Sequence, residues 1–414
     1  MHAWQLEHSI PDRGVTFPAG FRTAGACCGI KPSGRPDLAA VVADAPCDAA
    51  VVFTQNQMPG APILVGRQHL PSGCGTLQAI IVNSGVSNVA TGQAGVNDAL
   101  TMCQAVAEHL HIAPRHVLPS STGVIGVPLP MQKITPGIAA MLEQLASGAA
   151  ADASGADAIL TTDTRRKLAA VETTIAGKPV RFGAMCKGSG MIAPNMATML
   201  CYVTTDAAVA PALLHKALTH AVDRSFNRIS IDSDTSTSDT VALLASGQAG
   251  NARIETEGAD FAAFQDVLTK ICRDLALQVV RDGEGVTKIM RVLVTGAASD
   301  ADALKVARTL ADSPLIKCAL HGGDPNWGRL VAATGRSGAA LDPTKLGITI
   351  AGVTVGQNGQ LQPLDPATRA RLVDAMKQPD VTLEVSLGAG AGRADFLGCD
   401  LSYEYVRINA EYTT

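Results

Sequence analysis

Residues 260–281 carry the clearest periodicity in the chain: Phe261, Phe264, Leu268, Ile271 and Leu275 recur at spacings of three and four. That spacing lines one face of a helix with apolar side chains, and such a stripe must lie against a packed surface. The pattern stops at Asp282-Gly283-Glu284-Gly285, a helix-ending run. Other apolar residues come in runs of strand length. Leu77-Gln78-Ala79-Ile80-Ile81-Val82 reads as a buried strand entering a turn at Asn83-Ser84-Gly85, and 94–109 follows as a helix with Ala99, Leu100, Cys103 and Val106 on one face. A further helix is expected from Asp302 to Asp312, stopped by Pro314.

The last third reads as strand-rich. Ile348-Thr349-Ile350 and Val353-Thr354-Val355 flank Ala351-Gly352, Asn358-Gly359 is a hairpin signal, and Val381 to Leu387 alternates apolar with polar residues. Pro363 to Lys377 reads as a helix between them, and the Ala/Gly/Ser-rich segment 146–156 as a surface loop. Strands and helices without steady βαβ alternation predict an α+β fold of packed layers. A chain of 414 residues buries one large core or two smaller ones, so two lobes are expected.

Composition removes several classes of function. No apolar run is long enough to span a bilayer, and the start, Met1-His2-Ala3-Trp4-Gln5-Leu6-Glu7-His8, lacks the basic and apolar segments of a signal peptide. A net charge of −4, a pI near 6.1 and 3% aromatic residues speak against a nucleic-acid or anionic-membrane surface. The ten cysteines include no C-x-x-C pair, which suits reduced thiols in a cytoplasmic protein. Nine histidines without a ligand spacing make a metal unexpected. Asp232 to Asp239 opens like a calcium loop but has Thr237 where that loop requires glycine and Leu243 where it requires glutamate.

Four segments carry candidate chemistry. In Lys187-Gly188-Ser189-Gly190-Met191-Ile192-Ala193-Pro194-Asn195-Met196-Ala197-Thr198-Met199, scission of the Ala197–Thr198 bond would give Thr198 both Oγ and a free α-amine. An α-amine titrates near pH ~8 and can act as the hydroxyl's own base; the alternative is a helix start with Thr198 as its cap. Ser120-Ser121-Thr122-Gly123-Val124-Ile125-Gly126 is either a Ser/Thr turn or a pair of donors for an oxyanion. Gly388-Ala389-Gly390-Ala391-Gly392 follows a strand but precedes another, Ala394 to Leu401, so it lacks the helix a dinucleotide fingerprint needs. Asp324-Pro325-Asn326-Trp327-Gly328-Arg329 reads as a turn with a packed indole. Glu284, between two glycines at a helix end, reads as exposed enough to meet a cation, and Lys187 as a holder for a carboxylate.

Together these segments resemble the ornithine acetyltransferases of arginine biosynthesis, also called glutamate N-acetyltransferases. The likeness spans almost the whole chain: Gly20-Phe21-Arg22, Gly29-Ile30-Lys31, Asn83-Ser84-Gly85, Ser121 to Gly126, Thr161-Thr162-Asp163-Thr164, the Lys187 to Leu200 block and Thr204-Thr205-Asp206. It continues through Ser225-Phe226-Asn227-Arg228, Asp282 to Gly285, Asp324 to Arg329 and Tyr405 to Ala410. The resemblance implies self-cleavage into chains 1–197 and 198–414, which associate as two alpha and two beta chains. It implies an α/β sandwich like that of β-aminopeptidases. Thr198 becomes the nucleophile, and the Thr122 hydroxyl and Gly123 amide the oxyanion hole. Thr161, Lys187, Thr198, Glu284, Asn409 and Thr414 become the substrate contacts. The implied substrates are N-acetylornithine and glutamate, with no bound cofactor and with acetyl-coenzyme A as a donor in some members. The other class the same nucleophile allows is an amidohydrolase or aminopeptidase.

The chain departs from the family pattern at Val86 and Ser87, where asparagine and alanine are usual. It also departs at Ser233 for glycine, Ser238 for asparagine and Ala193 for histidine. These positions bear on substrate choice, and a relative acting on another N-acyl amino acid fits them too.

Overall fold

The computed structural model describes residues 3–193 and 199–411. Ala197, Thr198 and Thr414 therefore lie outside the described residues. The chain divides into two compact units. The first runs through Asn227 and takes in Asp234–Val279; the second comprises Arg228–Ser233 and the residues from Val280 on.

The first unit is built on β1 (Phe21–Ala26), β2 (Leu38–Phe53), β3 (Cys74–Val86), β4 (Val117–Val124), β5 (Lys167–Ile175), β6 (Lys178–Lys187), β7 (Leu200–Thr205) and β8 (Thr240–Ala245). They form one eight-stranded sheet in the order β4-β3-β2-β8-β7-β6-β5, with β1 paired to β2. The pairs β3–β4 and β7–β8 are parallel and the others antiparallel. Successive side chains of a strand point to opposite faces, and β2 is apolar on both. Leu38, Ala40 and Val42 join a core with α2 (Gly92–Leu110) and α3 (Met131–Leu142), whereas Ala39, Val41 and Ala43 join another that holds Ala156 and Ala158. Helices α1 (Ala61–His69), α5 (Pro211–Asp223) and α6 (Ala259–Arg281) also belong here, α6 as far as Val279. The apolar stripe expected over 260–281 is wholly buried: Phe261, Phe264, Leu268, Ile271 and Leu275 all lie in the interior.

Several expectations are corrected. Residues 149–158 form helix α4 (Ala149–Ala158), not a loop. Alanine is the best helix former, and the segment's small residues let it close on β1: a Cβ at Gly25 would stand 2.1 Å from the Ser154 carbonyl oxygen. The Asp152 carboxylate, fully buried on α4, accepts the amides of Gly14 (2.9 Å) and Thr16 (2.8 Å). In α2, Ala99, Cys103 and Val106 are buried as expected, but Leu100, one residue off that stripe, is exposed. Asn83-Ser84-Gly85 and Ser120 to Gly123 are not turns. β3 and β4 run on through them side by side, pairing Ser84 with Thr122 and Gly85 with Gly123.

The second unit holds a six-stranded sheet in the order β12-β11-β10-β13-β9-β14. Its strands are β9 (Ile289–Ala297), β10 (Gly347–Ile350), β11 (Val353–Gln357), β12 (Gln360–Leu361), β13 (Asp380–Ser386) and β14 (Gly392–Cys399). The hairpin signal Asn358-Gly359 is a turn with two positive-φ residues (+52°, +71°), and Ala351-Gly352 (+48°, +78°) makes a second of the same kind, the twist two-residue hairpins favour. Apolar residues of α7 (Asp300–Ala311), α8 (Pro314–Gly322), α9 (Trp327–Gly335) and α10 (Pro366–Ala375) share a core with Met290, Val292 and Val294 of β9. Pro314 does more than stop α7: it opens α8 at the first helical position, where a missing N–H costs nothing. Trp327 likewise begins a helix rather than sitting in a turn. The final helix is α11 (Tyr403–Glu411).

Candidate active site

In the first unit, the parallel strands β3 and β4 end together and set Thr122 and Gly123 beside Ser84 and Gly85. Gly123 has φ +128°, and a Cβ there would stand 2.3 Å from the Gly85 carbonyl carbon, so only glycine fits. Gly85 in turn is capped by the loop before β2: a Cβ on it would meet Ile30 at 3.0 Å and Lys31 at 3.2 Å. That loop is tied down by the buried Asp37 carboxylate, which accepts the amides of Cys28, Gly29, Ile30 and Lys31 at 2.6–3.1 Å. The strand ends are therefore braced by backbone contacts, not left as flexible turns.

Lys187, at the end of β6, reaches the same place. Its Nζ donates to Thr161 Oγ1 at 2.8 Å and to Thr122 Oγ1 at 3.4 Å, and lies 3.9 Å from Asp163 Oδ2. Lys187 is 7% exposed and Thr122 9% exposed, so this ammonium is largely out of water. Asp163 is the anchor. Its Oδ1 accepts from the fully buried Lys167 Nζ and from the Gly188 amide, both at 2.7 Å, and its Oδ2 accepts the Thr161 amide at 3.1 Å. Burial alone would push the Asp163 carboxyl up, but the ammonium groups of Lys187 and Lys167 and these hydrogen bonds hold it well below the usual carboxylate range. An ionised Asp163 thus fixes Thr161 and Gly188 on either side of Lys187.

A second ammonium stands near. Lys31 Nζ donates to the carbonyls of Pro36 (2.6 Å) and Leu160 (2.7 Å), bracing the residue before Thr161. Burial, with Arg35 and Lys187 as like charges and Asp37 opposing them, lowers its pKa to about 8.

In the second unit, Glu284 follows α6 and is buried rather than exposed, at 9%. Its Oε2 accepts from Asn409 Nδ2 of α11 at 2.9 Å. Gly285, at φ +67°, permits this: a Cβ there would stand 2.4 Å from the Tyr405 amide nitrogen. Ser402 Oγ donates to the Gly285 carbonyl at 2.5 Å.

The structure thus gathers Thr122, Gly123, Thr161 and Lys187 in one unit, and pairs Glu284 with Asn409 in the other. Asp163 and Lys167 were not singled out from the sequence, although their i,i+4 spacing carries the signal of an ion pair. The departures from the family pattern sit in supporting positions. Val86 joins the core beneath β3, and Ser87 Oγ donates to the Val124 carbonyl at 2.7 Å, one residue past Gly123. Ser233 adopts φ +69°, a conformation that explains why glycine is usual there.

A mixed α+β sheet that converges two hydroxyls, a buried ammonium and a strand-end glycine on one point builds the polar site of an enzyme. The sequence pattern of the ArgJ family matches residues 22–414. The arginine biosynthesis bifunctional protein ArgJ of Thermosynechococcus vestitus is 46% identical over 413 residues, covering 97% of this chain and 98% of that protein. Its namesake from Symbiobacterium thermophilum is 47% identical over 403 residues, with 97% and 98% covered. A solved ornithine acetyltransferase from Mycobacterium tuberculosis, complexed with ornithine, is 41% identical, with 46% of this chain and 99% of that chain covered at a TM-score of 0.43. The chain belongs to the ArgJ family, and as a member it is an acetyltransferase enzyme of arginine biosynthesis.

Proposed function

We propose that this chain transfers the acetyl group of N2-acetyl-L-ornithine to L-glutamate, releasing ornithine and N-acetylglutamate. The observation that carries the reading is the buried Lys187 ammonium held against the hydroxyls of Thr122 and Thr161, a receptor for a carboxylate next to a candidate oxyanion pair. Self-cleavage between Ala197 and Thr198 gives chains 1–197 and 198–414. The scission point lies in the connection between β6 and β7, which pair from Phe182 with Thr205 to Lys187 with Leu200. That ladder supports two chains that stay associated after the cut.

Thr198 Oγ then attacks the acetyl carbonyl, and its α-amine takes the proton and passes it to the departing amine of ornithine. The Thr122 hydroxyl and Gly123 amide stabilise the tetrahedral oxygen. Glutamate's amine attacks the acetyl-Thr198 ester in a second half-reaction, so the kinetics are ping-pong. Lys187 holds the α-carboxylate, and Glu284, steadied by Asn409, takes the side-chain ammonium of ornithine; Thr161 and Thr414 complete the contacts. The reaction needs no metal and no bound cofactor. Acetyl-coenzyme A is a second acetyl donor, a reading supported by relatives named bifunctional. The processed chains assemble as two alpha and two beta chains in the cytoplasm. Among the described residues, no helix is long and apolar enough to cross a membrane.

Supplying N-acetylornithine and glutamate together tests the reading: N-acetylglutamate is the expected product, and free acetate alone would make the chain a hydrolase. Losing a charge-assisted hydrogen bond costs about 1.5–3 kcal/mol. Glu284→Gln is therefore expected to raise KM for N-acetylornithine about tenfold or more, with Lys187→Met doing the same. Unchanged KM values in steady-state titrations of both variants would remove them from substrate binding.

A further inference from the structure

Lys31 has none of the roles proposed above, yet its side chain meets both halves of the polar site in the first unit. One half is the carboxylate receptor, Lys187 with Thr161; the other is the candidate oxyanion pair, Thr122 with Gly123. Lys187 ends β6 and Thr122 and Gly123 lie on β4, with four strands between them in the sheet. A ladder that long sets their relative position only loosely, and a reacting site needs supports that lock it.

The ammonium of Lys31 fixes the receptor. Its Nζ donates to the Leu160 carbonyl at 2.7 Å, while the Thr161 amide donates to Asp163 Oδ2 at 3.1 Å. That carbonyl and that amide belong to one planar peptide unit. The unit is therefore held at one end by a cation and at the other by a carboxylate. Its orientation decides where Thr161 Oγ1 stands to accept from Lys187 Nζ, at 2.8 Å. Leu160 is 4% exposed, so little water is at hand to replace a lost ammonium.

The stem of the same side chain supports the oxyanion pair. A Cβ on Gly85 would lie 3.2 Å from Lys31 Cγ, so the lysine packs directly on that glycine, which pairs with Gly123. The loop carrying Lys31 is fastened to the same strand. The Ser84 amide donates to the Asp37 carbonyl at 2.8 Å, and Asp37 Oδ2 accepts the Lys31 amide at 3.1 Å. A second bond from Lys31 Nζ, to the Pro36 carbonyl at 2.6 Å, closes the loop on itself.

We infer that Lys31 is a positioning residue for acetyl transfer, holding the Thr161–Lys187 receptor in place against the Thr122–Gly123 donors. The inference rests on the acetyl-transfer reaction proposed above. The ammonium serves substrate binding and the stem serves the transition state, so substitution separates the two.

The test is steady-state kinetics of Lys31→Met and Lys31→Ala in the full chain, varying N-acetylornithine and glutamate in turn, with thermal unfolding curves alongside. Lys31→Met keeps a stem on Gly85 and loses the ammonium. Its KM for both substrates is expected to rise about tenfold, on the scale of one lost charge-assisted hydrogen bond, with kcat nearly kept. Lys31→Ala loses the stem as well, and its kcat is expected to fall about tenfold or more as the donors shift. KM does not depend on how much of the enzyme is active, so a merely structural role, which lowers the active fraction, leaves it unmoved. Lys31→Gln keeps a donor without a charge, and its KM should fall between those of the wild type and Lys31→Met. It decides alone, by its KM, if the other two do not fold. Wild-type KM in the variants that fold, or a Lys31→Ala kcat no lower than that of Lys31→Met, would overturn the inference. A wild type that forms no N-acetylglutamate overturns the proposed reaction itself, a result distinct from either.

Discussion

Gly123→Ala is expected to lower kcat about a hundredfold to a thousandfold, the usual loss when one oxyanion donor is displaced. The added methyl would stand 2.3 Å from the Gly85 carbonyl carbon and 2.5 Å from its oxygen, on a backbone at φ +128° that side chains rarely adopt. Either β4 withdraws from β3 or the Gly123 amide turns; both move the donor. Thr122→Ala removes the other donor without that strain and is expected to lower kcat about a hundredfold or more. In each variant KM for N-acetylornithine should change far less than kcat, because the lost interaction strengthens only in the transition state. Steady-state kinetics alongside a thermal unfolding curve separate this from a folding defect. Near wild-type turnover in Thr122→Ala would take its hydroxyl out of the mechanism.

Asp163→Ala should have the largest effect on stability. It strands Lys167, fully buried 2.7 Å from the lost carboxylate, and removes the acceptor that holds the Gly188 amide. Breaking one side of a buried ion pair costs about 3–5 kcal/mol. Urea unfolding at neutral pH should show that loss as a lower midpoint. The sign of the pH dependence follows from the depressed carboxyl. Its contribution is fully present above the unfolded pKa of about 3.9 and is lost as pH falls toward the folded value. The gap between wild type and Asp163→Ala is therefore expected to narrow below about pH 4. An equal gap at every pH would mean that Asp163 acts through packing and not through charge.

How far the sequence revealed this molecule depends on the kind of signal. The helix over 260–281 was legible because five large apolar residues share one stripe and each is buried. The hairpin at 358–359 was legible because asparagine and glycine tolerate positive φ, whereas Ala351 takes φ +48° with no such local signal. Residues 146–156 misled, since small residues mark loops and also close helix–strand contacts; the Ser154–Gly25 approach uses them for the second purpose. Asn83 to Gly85 misled likewise, because a parallel partner 38 residues on, β4, extends the strand through a turn-like sequence. Glu284 reads as a solvated charge until Asn409, far along the chain, is seen to cover it. Long-range partners of this kind leave no local trace. The residues themselves offered an oxyanion pair in Ser120 to Gly126 and a carboxylate holder in Lys187 beside blander readings, and family likeness singled out Thr122, Gly123, Thr161 and Lys187; the gathering of Thr122, Thr161 and Lys187 around Asp163 is a matter of sheet order, which periodicity does not encode.

The account turns on the free amine of Thr198, and intact mass spectrometry with N-terminal sequencing of the purified active enzyme measures it directly. The expected result is two chains, 1–197 and 198–414, the second beginning with threonine and gaining the mass of one acetyl group when N-acetylornithine is added. Fully active enzyme that remains a single uncut chain, with no threonine at any N-terminus, would contradict it.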